Sequence, residues 1–240
     1  MKTRFPLLIF ICFIASQSLL AQANLPIRFY ENGKVGYKSA DGKTIVAPLY
    51  YAGSEFINGF AIVIKDNLRG YINEQGELQI PLMYRDANPF FSGYASVKFG
   101  NKYGFINSKG AWVVEPVYEE VYSFQENMAL VKKDGKYGFI NADLKEIIQP
   151  QYEIASSFSE GLAMVKIGSK FSFINQQGKQ VISRTFDFAG VFHNGEALVG
   201  LGKEKFMINR KGKILREVED HEDHEKEERE ERERETKKNK

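Results

Sequence analysis

The chain has 240 residues, 43% of them hydrophobic, and a formal net charge of +2. That length and apolar content allow a buried core in one or two domains and exclude a wholly disordered chain. The near-neutral charge gives no electrostatic reason to expect a nucleic acid as partner.

The first element reads as a targeting segment. Lys2 and Arg4 form a basic start, Leu7 to Ala15 an apolar run, and Ala21-Gln22-Ala23 a small-x-small pattern. This predicts a cleaved export signal over 1–23, hence a periplasmic or secreted protein with Asn24 at its mature start. The apolar run is shorter than the roughly 20 residues of a spanning helix, so no transmembrane segment is expected after cleavage. The only cysteine, Cys12, lies inside this segment. Its loss excludes disulfides, cysteine nucleophiles, thiolate metal sites and iron–sulfur clusters from the mature chain.

The next region, 24–215, repeats itself. "KYGFIN" stands at 102–107 and again at 136–141, an offset of 34. The same offset leads from Gly104 and Gly138 back to Gly70 and Gly36, and onward to Ser172 and Phe206. Tyr50, Tyr84, Tyr118, Tyr152 and Phe186 form a second column, and Phe56, Phe90, Phe124, Phe158 and Phe192 a third. Columns of alanine (Ala61 to Ala197) and valine (Val63 to Val199) follow the same spacing. A fixed period of this kind marks a repeat architecture.

Each copy reads as strands rather than helices, because β-branched and aromatic residues cluster between glycines and no 3.6-residue period is sustained. In the fourth copy Met128 to Lys132 is a strand, Asp134-Gly135 a tight hairpin turn, and Lys136 to Asn141 a second strand. Asn141 to Leu144 is a type I turn whose other copies end in glycine. Lys145 to Gln149 is a third strand, stopped by Pro150. The expected fold is all-β: six three-stranded antiparallel meanders at about 25–47, 59–81, 93–115, 127–149, 161–183 and 195–215, each followed by a loop of about twelve residues. An open or gently coiled array is favoured over a closed, propeller-like ring because no blade is split between the two chain ends.

The last element, 216–240, holds twelve acidic and eight basic residues. It carries about −4 and leaves the repeat body near +4. Acids precede bases at a spacing of four, which supports only a solvated, fluctuating helix or a disordered spacer.

Columns filled in every copy point to structure. Glycine in a strand admits close approach, here expected from a neighbouring aromatic, and the aromatic columns supply the core. Copy-specific residues are the candidates for binding. Trp112 is the only tryptophan, and Tyr51, Phe91, Tyr94 and Tyr122 are aromatics where other copies carry polar or smaller groups. His193 is the only histidine of the repeat body. No serine elbow, phosphate loop or zinc motif accompanies them, so no catalytic residue, cofactor or metal site is assigned.

These columns resemble the WG β-repeat family of bacterial proteins. Tyr137-Gly138-Phe139-Ile140-Asn141 and Phe158-Ser159-Glu160-Gly161-Leu162-Ala163 carry the pattern, and the resemblance spans about 33–215. The family's tryptophan before the glycine is replaced by Val35, Arg69, Tyr103, Tyr137 and Phe171. The resemblance implies a fold and no activity. The functional expectation is an exported, non-catalytic module that binds a protein or glycan of the cell envelope. The alternatives are a carbohydrate-active enzyme or glycan-binding module, and a structural spacer.

Overall fold

A computed structural model describes residues 25–218, and the expected export signal and most of the charged tail lie outside the described residues. The described chain contains strands and turns and no helix, so no helix is long and apolar enough to cross a membrane. It divides into two compact units that meet at Val121 and Tyr122 in sequence.

In the first unit β1 (Ile27–Glu31), β2 (Lys34–Lys38) and β3 (Thr44–Tyr50) form one antiparallel sheet in that order. The second sheet is β4 (Ala52–Gly53), β5 (Phe60–Lys65), β6 (Leu68–Asn73) and β7 (Leu78–Tyr84). The third is β8 (Asp86–Ala87), β9 (Tyr94–Phe99), β10 (Lys102–Asn107) and β11 (Trp112–Tyr118), and β12 (Glu120–Val121) ends the unit. In the second unit β13 (Met128–Lys133), β14 (Lys136–Asn141) and β15 (Glu146–Tyr152) pair in that order. Then come a pair, β16 (Ala163–Ile167) and β17 (Lys170–Ile174), and a sheet of β18 (Phe188–Ala189), β19 (Glu196–Leu201), β20 (Glu204–Asn209) and β21 (Ile214–Glu217). No sheet closes into a barrel. The last strand runs to Glu217, two residues into the segment assigned to the tail.

The turns explain the chain reversals. Asp134 and Gly135 have φ of 51° and 75°, the type I′ pattern, and Asn32-Gly33 and Asp66-Asn67 repeat it. The other first hairpins turn at Gly100, Gly168 and Gly202, with positive φ at the first central residue only, which is type II′. In the second turn the asparagine does more than start a type I turn. Asn141 Oδ1 accepts from the N–H of Asp143 and Lys145, and Asn73, Asn107, Asn175 and Asn209 do the same in their copies.

The long loop is more ordered than the sequence suggests. It contributes a two-residue strand to the next copy's sheet: Ala52 and Gly53 pair with Ile64 and Val63, and Asp86 and Ala87 with Lys98 and Val97. It then makes a second type I′ turn, at Asn58-Gly59, Ser92-Gly93, Glu126-Asn127, Glu160-Gly161 and Asn194-Gly195, all with positive φ. The sheets β4–β7, β8–β11 and β18–β21 are therefore four-stranded, where three-stranded meanders were expected.

The core lies between copies. Val35, Tyr37, Val46, Tyr50 and Phe56 of the first copy bury Ala61, Val63 and Ile72 of the second. Tyr71, Ile80, Tyr84 and Phe90 bury Ala95, Val97 and Ile106 in the same way, and the two core clusters of the second unit repeat the pattern. Tyr118 and Tyr152 are buried like their column, while Phe124 is half-buried. The column glycines admit backbone at all four positions, and the expected aromatic neighbour at two of them. A Cβ on Gly70, Gly104 or Gly138 would lie 2.5 Å from the carbonyl of Ile80, Val114 or Ile148 on the third strand, where the ladder slips register. Only Gly36 and Gly104 also have a ring close by, from Phe29 and Trp112.

Candidate functional site

With the core columns buried, what differs between copies lies on the surface. In three copies the second strand begins with a lysine and the loop after the third strand begins with an acid, while the second copy has Leu68 and Arg85 at these places. Lys102 Nζ meets Glu119 Oε1 at 3.1 Å, Lys136 meets Glu153 at 3.2 Å, and Lys170 pairs with Asp187. In the first copy these places hold Lys34 and Tyr51. Tyr51 is 72% exposed, and Leu49, two residues before it on β3, is 56% exposed.

A second surface column shows the same exchange. Lys98, Lys132 and Lys166 lie over the rings of Tyr103, Tyr137 and Phe171, with Lys98 Nζ 5.2 Å from the Tyr103 centroid. These rings stand where the family tryptophan would be. The first copy has Tyr30 in place of the lysine, 65% exposed, with the Arg28 guanidinium 5.5 Å above its ring. Arg28 also donates to the carbonyl of Gly53 and pairs with Glu55.

The other predicted residues fall in different settings. Phe91 and Tyr94 flank the Ser92-Gly93 turn and exchange both backbone hydrogen bonds, at 2.7 and 3.0 Å. Ile57 and Phe60 flank the preceding turn, where Asn58 donates to the carbonyl of Phe90 and the Phe60 ring lies 4.5 Å from that of Phe90. Trp112 is half-buried, edge-on to Tyr84 at 6.0 Å and to Phe99 at 6.2 Å, and packs against the core. Tyr122, in the second unit, is 43% exposed, with its ring 6.5 Å from Tyr137. His193 is exposed beside the Asn194-Gly195 turn, and its backbone pairs with Glu196, whose carboxylate holds Arg216 by two bonds. Among the described residues no group of three or more His, Cys, Asp or Glu is placed to hold a metal ion.

Tyrosine is the titratable group most shifted by this architecture. Burial, then a 2.6 Å bond donated to Asp86, push the Tyr103 hydroxyl up to about 12. Burial pushes Tyr37 and Tyr71 up further, and their hydroxyls donate to the carbonyls of Ser54 and Asn88.

Lys34, Leu49 and Tyr30 were not selected from the sequence as candidates. For Tyr30 the signal was available, since its column holds lysine in three later copies, whereas Lys34 and Leu49 match several residues of their own columns.

Among solved structures, the chain is similar to Hsv2 of Kluyveromyces lactis (8% identity, TM-score 0.43, covering 78% of this chain and 72% of that one). It is also similar to a eukaryotic initiation factor (12% identity, TM-score 0.47, covering 80% and 62%). A third likeness is to a protein of unknown function from Bacteroides caccae (13% identity, TM-score 0.27, covering 82% and 93%). Likenesses this distant carry no argument about activity. No curated protein matches the chain. The family model for the WG containing repeat matches five consecutive segments, 36–68, 70–103, 103–137, 137–171 and 171–203. Together these cover most of the chain, which therefore belongs to the WG repeat family.

Proposed function

We propose that this is an exported, non-catalytic repeat protein that binds another macromolecule of the envelope or extracellular space, using surface residues of its first unit. One observation carries the reading: at the position where three other copies place an acid paired to lysine, the first copy exposes Tyr51. Exposing a large ring in place of a satisfied ion pair adds nothing to the fold, whereas tyrosine is enriched at binding surfaces. The start of the sequence supports export, by its basic, apolar and small-x-small order.

Two measurements test the proposal. A photo-crosslinking residue at 51, expressed in the native cell, should form an adduct that the same residue at 153 does not form. N-terminal sequencing of the native protein should begin at Asn24. A chain that retains Met1 overturns the export reading, and an absence of adducts at 51 overturns the binding surface.

A further inference from the structure

The first copy has an incomplete ion pair. Its lysine, Lys34, is kept, but the acid that Glu119, Glu153 and Asp187 supply elsewhere is replaced by Tyr51. Glu31 stands opposite Lys34 in register, yet the two make no ion pair, and no described residue bonds the lysine. The register of β2 and β3 places Val35 against Tyr50, so Lys34 and Tyr51 are the next residues out. Sister copies show that these two columns lie within ion-pair reach. An accessible cation therefore sits beside an exposed phenol, with the exposed Leu49 next along β3.

We infer that Lys34, Leu49 and Tyr51 form a binding site for an acidic glycan, a chain of uronate sugars. The inference rests on reading the protein as a binding module. A pyranose presents C–H groups that suit the electron-rich face of the Tyr51 ring, and its carboxylate takes the place of the missing acid on Lys34. A peptide is the less suitable occupant. Peptides commonly bind by adding a strand to a sheet edge, and β3, an edge strand, carries Pro48, which has no N–H to offer. Ring stacking and one charge need no such edge.

Affinity electrophoresis of the full chain tests this, with polygalacturonate or alginate cast into the gel and neutral dextran as reference. The wild type should be retarded by a polyuronate and not by dextran. Tyr51→Glu restores the acid of the sister copies, so the fold should stay intact by its melting curve while retardation falls at least about tenfold, the effect of one lost charge-assisted contact. Lys213→Glu removes more positive charge elsewhere and should change nothing. Absence of retardation by either polyuronate overturns the inference, as does equal loss in Lys213→Glu, which would mark general charge attraction. If a crosslinker at 51 captures a protein while the polyuronates fail, the glycan is wrong and the binding surface stands. If both fail, both readings fall.

Discussion

At position 172 the second strand carries a Cβ where four earlier copies have glycine. In those copies a Cβ there would lie 2.5 to 2.6 Å from a third-strand carbonyl. In the fifth copy residues 181–185 form no strand; the isolated bridges Phe171 to Phe186 and Ile174 to Gln180 remain, and the Val181 N–H donates to the Phe173 carbonyl at 3.0 Å. The Ser172 hydroxyl is also buried without a hydrogen-bond partner. Ser172→Gly should restore the strand and remove the unsatisfied group, raising stability by about 1–2 kcal/mol after the entropy cost of glycine. Ser172→Ala should recover only the hydroxyl's share, and thermal melts of the two variants separate the causes. Gly104→Ala should do the reverse and cost about 1–3 kcal/mol, because the new methyl meets the Val114 carbonyl. The buried tyrosines add a dependence on pH. A phenol whose folded value lies above its unfolded value stabilises the fold fully below the unfolded value, near pH 10, and loses that contribution as pH rises towards the folded value. With Tyr103 raised to about 12 and Tyr37, Tyr71, Tyr50, Tyr84 and Tyr152 all raised by burial, stability should fall steeply above pH 10. Tyr103→Phe should make that fall shallower, as read by circular dichroism across an alkaline titration.

The elements were legible to different degrees, for physical reasons. Strands and their order followed from the repeat, since five copies of one column make its burial plain. The Asp134-Gly135 turn was legible because positive φ limits the choice of residue. The two-residue strands β4, β8 and β18 were not, because pairing of Ala52-Gly53 or Phe188-Ala189 depends on the next copy rather than on any local propensity. The reason for the glycine column was legible only in part, at Gly36 and Gly104 with their neighbouring rings, since a backbone carbonyl leaves no mark in a sequence. Among candidate residues, neither the exposure of Tyr51 nor the packing of Trp112 was legible, because an aromatic residue unique to one copy serves either role. Leu144 illustrates a turn under strain: it has φ of 61° where every other copy has glycine. Leu144→Gly should stabilise the second unit by about 1 kcal/mol, the left-handed penalty of a side chain, measured as a rise in urea midpoint at unchanged slope.

For the molecule as a whole, cores shared between neighbours mean that no copy is complete alone. A peptide of residues 59–92 should be unstructured, while the first unit, 25–121, should show a cooperative melt. A peptide that folds by itself would contradict the shared core. The first and last copies differ from the others at columns that are buried elsewhere. Where the other copies bury Ile72, Ile106, Ile140, Ile174 or Ile208, the first copy has Lys38, with its ammonium over the Phe29 ring. Where they bury Val46, Ile80, Ile148 or Ile182, the last copy has Arg216, paired to Glu196. These two copies thus place a cation where the others bury an apolar side chain against a neighbour, the kind of change that capping repeats show. Lys38→Ile should expose a sticky face, seen as concentration-dependent sedimentation that the wild type lacks. The shared core has a consequence for inheritance. A copy inside the first unit meets the same chemistry on both sides, so a duplication of residues 70–103 gives the new segment two ready neighbours and leaves the cations at the ends untouched. Copy number is then a quantity that one unequal genetic exchange changes by a whole step, while Lys34 and Tyr51, on the first copy alone, stay single.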